Sequence, residues 1–275
     1  MTAAAALLAS VAWGVADFLG GLKSRTVSTL VVLLLAQVSG VLAIAIVVAA
    51  AANPPPGTSV LWAALAGVFG TVGLATFYRG MAVGSISIVA PIAAVGAVVP
   101  VVFGIATGDD VSRRELLGFA LALGGVAFAS LERQVGEVRV AAGVPWAIAA
   151  VIGFGGYYVP MHAASEQDFL WAALVFRSTV GVLAFAAWLV VRPALGAARG
   201  HLGAIALIGI LDTAGNALFA AASSLGEVSV VSVLATLYPV TTVALAALVL
   251  TERLDRLQLA GVASALTGVV LISAG

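Results

Sequence analysis

No charged residue occurs between Arg25 and Arg79, and none between Arg79 and Asp109. A helix rises about 1.5 Å per residue, so about 20 apolar residues cross the hydrocarbon of a bilayer. Each uncharged run is long enough for one or two crossings. A buried strand or core helix needs much less. The composition agrees: 63% of the 275 residues are hydrophobic and 9% are charged, against about a quarter charged in a soluble domain. The expected location is the cell membrane, crossed many times.

Formal net charge is zero, which leaves no basic surface for nucleic acid. There is no cysteine, which removes disulfides, thiol catalysis and cysteine-ligated metal. The first apolar run starts at Thr2 with no basic stretch before it, so it reads as a retained helix rather than a cleaved signal. Nothing in the sequence asks for a cofactor. The expected partners are the lipid bilayer and a small-molecule substrate, with the chain acting as a monomer.

Ten spans fit the hydropathy and the turn chemistry: 2–22, 27–50, 60–82, 87–106, 114–131, 143–162, 169–191, 201–222, 228–250 and 257–274. Asn53-Pro54-Pro55-Pro56-Gly57 cannot continue a helix. Lys23-Ser24-Arg25 and the charged segments 109–115, 132–139 and 252–256 supply further breaks. Helices must be the spanning element, because backbone groups in hydrocarbon need internal partners. The alternating polarity of a transmembrane barrel is missing. The expected fold is all-α. Pro91, Pro100, Pro160 and Pro239 are expected to interrupt helices and free carbonyls. Alanine and 31 glycines let helices approach closely in lipid.

The sequence repeats. At a shift of 142, Gly67, Thr71, Gly73, Phe77 and Gly84 meet Gly209, Thr213, Gly215, Phe219 and Gly226. One register further, 108–113 meets 251–256, Gly118 meets Gly261 and Gly125 meets Gly268. Trp13-Gly14 meets Phe154-Gly155, and Gly40 meets Gly181. Two halves of five helices follow, 1–136 and 137–275. An odd helix number sends the second half in from the opposite side. That is an inverted repeat, a building plan of secondary transporters.

Several residues carry a family resemblance. They are Trp13-Gly14, Ala90-Pro91-Ile92, Arg177 before Val180-Gly181-Val182-Leu183-Ala184, Tyr238-Pro239-Val240, and Thr251-Glu252-Arg253-Leu254 with Gly261. The chain resembles the drug/metabolite transporter superfamily, specifically its ten-helix EamA-type members. The resemblance implies two five-helix repeats and transport of small metabolites or amino acids, often export. Two positions depart from the family pattern. Thr251-Glu252 stands where Gly-Glu is frequent, and Ala36-Gln37 lies near a frequent arginine of the second helix.

Away from the span ends, four charged residues, Asp17, Arg79, Arg177 and Asp212, fall within the spans. Ionisable groups in a bilayer face a partner or a wet cavity. Arg177 and Asp212 lie at similar depth. Asp212 and Asn216 are four apart and share a helix face. Two readings stand: Asp212 and Asn216 face a central cavity, or Arg177 and Asp212 form a static pair that braces two helices. Two acids and two bases would suit a zwitterion such as an amino acid. Among the aromatics, Trp13, Tyr78, Tyr158 and Tyr238 are candidates for binding a substrate of mixed character.

Lys23, Arg25, Arg133, Arg139, Arg192, Arg199, Arg253 and Arg256 share one membrane face, which we call the basic face. The positive-inside rule makes it cytoplasmic, with both termini outside. The family resemblance implies termini inside. The leading function is a secondary transporter, an exporter, working by alternating access with proton coupling or exchange. A membrane-embedded enzyme is the alternative. Ala106-Thr107-Gly108-Asp109 only approaches a GxGD pattern, and neither HExxH nor GxxxxGK[ST] occurs. A channel would want a ring of pore charges.

Overall fold

In the computed structural model, residues 2–51, 57, 59–99, 112–129, 131–134, 137–165, 168–225, 234 and 237–273 are described. They delimit ten α-helices: α1 (Thr2–Ser24), α2 (Thr29–Ala51), α3 (Ser59–Val83), α4 (Ile86–Ala94), α5 (Arg113–Ala129), α6 (Val144–Ser165), α7 (Phe169–Val191), α8 (Leu202–Leu225), α9 (Tyr238–Leu250) and α10 (Arg256–Ser273). Six of these, α1 to α3 and α6 to α8, are long and apolar enough to cross a membrane, and α9 and α10 are shorter apolar helices. The chain is a multi-pass, all-α membrane protein, with one β-hairpin among the described residues. Large apolar side chains such as Ile46, Leu61 and Leu248 remain exposed on the helices, on surface that hydrocarbon covers.

Local chemistry sets the helix ends. The Ser112 hydroxyl accepts from Glu115 N–H (3.2 Å), and the Glu115 carboxylate accepts from Ser112 N–H (2.7 Å). Asp255 and Gln258 make the same reciprocal pair at the start of α10, at 2.8 and 3.1 Å. Both are capping boxes, which satisfy backbone donors that the first turn leaves free. Asp168 caps α7 by accepting from Trp171 N–H at 3.0 Å. Arg192 (φ 51°) ends α7 and Thr251 (φ 54°) ends α9 in the left-handed conformation.

At three places the structure adds detail to the expectations. The fourth span is expected to run to 106; α4 ends at Ala94 in a 3₁₀ turn, Val95–Ala97, residues 98 and 99 are helical again, and 100–106 lie outside the described set. Pro91, inside α4, has no N–H to donate back, and the weakened ladder tightens soon after it. Pro239 follows a turn: residue 234 is helical, Leu237 is a turn, and α9 opens at Tyr238. It stands in the first turn of α9, where its missing N–H costs nothing. The expected residues 228–233 of that span lie outside the described set, as does Pro100. The third is at 132–139, expected as a short charged hairpin. It forms an antiparallel hairpin of β1 (Leu131–Gln134) and β2 (Glu137–Val140), in register Leu131↔Val140 to Gln134↔Glu137.

The most extensive helix pairings join the first five helices to the last five: α3 with α6, α5 with α10, and α1 with α8. Their contacts are exchanged copies of one another. A Cβ on Gly73 would stand 2.6 Å from the Phe154 ring, and a Cβ on Gly215 would stand 2.6 Å from the Trp13 ring. Gly73 corresponds to Gly215 in the repeat, and Phe154 to Trp13. In the same way, a Cβ on Gly118 would stand 2.9 Å from the Gly268 carbonyl oxygen, and one on Gly125 would stand 2.6 Å from that of Gly261. Numbers rise along α5 as they fall along α10, so the two helices run antiparallel.

Candidate functional site

Between α2, α7 and α8 sits a charge buried in the apolar body. Arg177 on α7 has 1% of its side chain exposed, and its Nη2 donates to Asp212 Oδ2 on α8 at 2.6 Å. Its Nη1 donates to Gln37 Oε1 on α2 at 3.5 Å. Gly40, one turn along α2, leaves the room: a Cβ there would stand 3.1 Å from Arg177 Nη1. A guanidinium is tolerated at this depth only with such partners. Asp212 keeps 22% of its side chain accessible, so it is the member of the pair that meets open space.

Asp17 on α1 lies within electrostatic range of Asp212. The buried Tyr78 on α3 lies within range of Asp17, Asp212 and Arg177. Gly20 of α1 makes way for the Tyr78 ring, whose hydroxyl would be 2.8 Å from a Cβ there. Arg177 and Asp212 are thus in direct contact, with Asp17 and Tyr78 near enough to act on them electrostatically. One turn along α8, Asn216 is half-buried.

An aromatic group continues this region towards the start of α1. Trp13, one turn before Asp17, lies 5.8 Å from Phe219 and 6.5 Å edge-on from Tyr238, between ring centroids. Such geometries suit the ring quadrupoles. The Thr242 hydroxyl bridges α9 to α1, donating to the carbonyls of Gly14 (3.1 Å) and Tyr238 (3.2 Å).

One candidate falls elsewhere. Arg79 is exposed on α3, not with the cluster. Neighbouring helix residues point about 100° apart, so a buried Tyr78 turns Arg79 outward. Of Tyr158 only the backbone is described, within α6. Gln37 and Phe219 were not among the site candidates. A polar amide inside the charge-free α2 run, and an aromatic seven residues beyond Asp212 on one face, were the available signals.

An apolar groove of about 400 Å³ lies between α2 and α7, beside the pair, lined by Leu34, Gln37, Val38, Leu42, Val182 and Phe185. Val38, Leu42 and Val182 are exposed, so the groove opens sideways, towards lipid. Among the described residues no group of three or more His, Asp or Glu side chains could hold a metal.

A search of curated protein sequences gives no match. A crystal structure of another protein superposes with a TM-score of 0.64 at 15% sequence identity, over 98% of this chain and 96% of that one, a likeness of fold. The sequence model of the EamA-like transporter family matches residues 1–131 and again 141–274. The gap between the two matches is the β-hairpin. With nearly the whole length matched in two stretches, the chain belongs to the EamA-like transporter family, whose members are membrane transporters.

Proposed function

We propose that the protein is a secondary transporter of the cell membrane that exports a small metabolite or amino acid by alternating access. Its halves, 1–136 and 137–275, are five-helix repeats inserted in opposite directions, ten crossings in all. The antiparallel α5–α10 pair and the exchanged contacts of Gly73 and Gly215 support this plan. Two copies of one fold in opposite orientation can trade conformations, which opens a site between them to each face in turn.

The observation that carries the reading is the Arg177–Asp212 pair with Asp17 close by, held by helices of both halves. With Arg79 outside the cluster, the balance is two acids to one base. An uncompensated charge at membrane depth costs about 2.5–3.5 kcal/mol on insertion scales. A proton, or the ammonium group of a substrate, supplies the missing positive charge at Asp17 and Asp212. Trp13, Tyr238 and Phe219 then offer flat apolar faces for the rest of the substrate. Coupling to protons or exchange follows from the same balance.

The 2.6 Å bond and the deep burial of Arg177 also favour a second reading, a static brace between α7 and α8. Melting of the purified protein against a panel of amino acids and amines separates the two. A ligand at the site raises the melting temperature with concentration, and the shift disappears in Asp212→Asn. A shift that survives in Asp212→Asn supports the brace.

A further inference from the structure

On the basic face, one carboxylate of the second half grips two separate pieces of the first, and one of these holds a third. Glu252 lies in the turn between α9 and α10. Its Oε1 accepts from Arg25 Nη2 (2.8 Å) and Ile86 N–H (3.2 Å). Its Oε2 accepts from the Ser85 hydroxyl (2.7 Å) and Ser87 N–H (3.0 Å). Arg25, in the α1–α2 turn, also donates from Nε to Met81 O (3.2 Å) and from Nη2 to Gly84 O (3.0 Å), at the end of α3. The junction therefore gathers the α1–α2 turn, the end of α3, the start of α4 and the α9–α10 turn.

Among the described residues, the side-chain hydrogen bonds that reach this junction from the α9–α10 turn all run through Glu252, beside the backbone packing of Gly84 against Ala142 and Gly143. Charge-assisted bonds of this kind are stronger than neutral ones, and negative charge at a helix start is favoured by the exposed N–H groups and the dipole. Beside the junction, the Ser24 and Ser87 hydroxyls are buried without a hydrogen-bond partner among the described residues. Burying an unpaired hydroxyl costs free energy. Parting the junction would return both to water, which offsets part of the bonds lost and keeps the joined state from being too deep to leave.

We propose that Glu252 is the latch that holds the two halves together at the basic face, and that it releases Arg25, Ser85 and the start of α4 when the central site opens to that face. This inference rests on the alternating-access reading. It gives the conformational cycle a named bond set to break.

The cysteine-free sequence allows two pairs of spin labels in nanodiscs. One pair, at Thr26 and Arg253, spans the latch. The other, at Ala51 and Ser165, spans the two halves at the opposite face. In Glu252→Gln, the long-distance population of the latch pair should rise about tenfold over the parent, the effect of weakening hydrogen bonds to a charged group. The opposite-face pair should shift in the reverse sense. Arg25→Gln should act in the same direction. Should Glu252→Gln fail to fold, Ser85→Ala removes one donor and should give a smaller shift of the same sign. Unchanged latch distances in folded Glu252→Gln and Arg25→Gln, with two populations still present at the opposite face, would overturn the latch and leave alternating access standing. A single population at both faces in every variant would overturn both.

Discussion

Arg177 is the largest of the fully buried side chains, and its position explains which charges the sequence revealed. Charges are rare in the spans, so Arg177, Asp212 and Asp17 stand out by position alone. Gln37 does not, because a neutral amide changes hydropathy little, yet it holds one side of the guanidinium. Arg79 was misplaced because sequence position gives depth in the membrane but not the direction around a helix. Removing one partner of a buried pair leaves the other charge uncompensated. Asp212→Ala should therefore destabilise the fold by about 3–5 kcal/mol, measured by reversible unfolding in detergent, while Asp212→Asn, which can still accept a hydrogen bond, should lose less.

Glu252 makes a second prediction at this scale. It lies outside the spans, and its carboxyl is held below the usual value of 4.5. Burial alone would raise it, but donation from Ser87 N–H, Ser85, Arg25 and Ile86 N–H more than reverses that. A lowered carboxyl stabilises the folded state above its unfolded value and loses that contribution as pH falls through the folded one. The melting temperatures of the parent and Glu252→Gln should differ at neutral pH and converge as pH drops below 4.5. A gap that stays constant with pH would mean the charge of Glu252 does not stabilise the fold.

Among the elements, hydropathy located most helices well, and α7 occupies the expected 169–191. Three features were present in the sequence but masked by stronger signals. The capping boxes Ser112/Glu115 and Asp255/Gln258 sit at corresponding repeat positions, inside segments read only as charged hairpins. Pro239 stands just after the turn at Leu237, in the first turn of α9, where proline also fits. The alternation of Glu137-Val138-Arg139-Val140 is overshadowed by the charges of the segment. The glycines of α5 and α10 give an element-scale test. Gly125→Val and Gly261→Val both push a side chain into the facing helix backbone. Each should cost about 1–3 kcal/mol, by similar amounts, read as lowered melting temperatures. A large loss in one and none in the other would contradict the close α5–α10 contact.

For the whole molecule, a near-constant shift of matched residues indicated two halves, and the structure adds how they meet. Sequence could pair Trp13 with Phe154 and Gly73 with Gly215, but not show that each pair packs across the halves in exchanged form. Such contacts depend on how the helices turn against one another, which a linear pattern does not record. The site lies where these contacts converge, with α1 and α2 of one half against α7 and α8 of the other. The central claim is that this shared site moves a small molecule by alternating access. Counterflow in proteoliposomes, loaded with unlabelled and then given labelled amino acids, tests it most directly. Uptake should saturate, depend on the internal load, and fall at least about tenfold in Asp212→Asn at equal incorporation, the loss of one charged contact at the site. Uptake that rises linearly and ignores the internal load, or that is undiminished in Asp212→Asn, would contradict it.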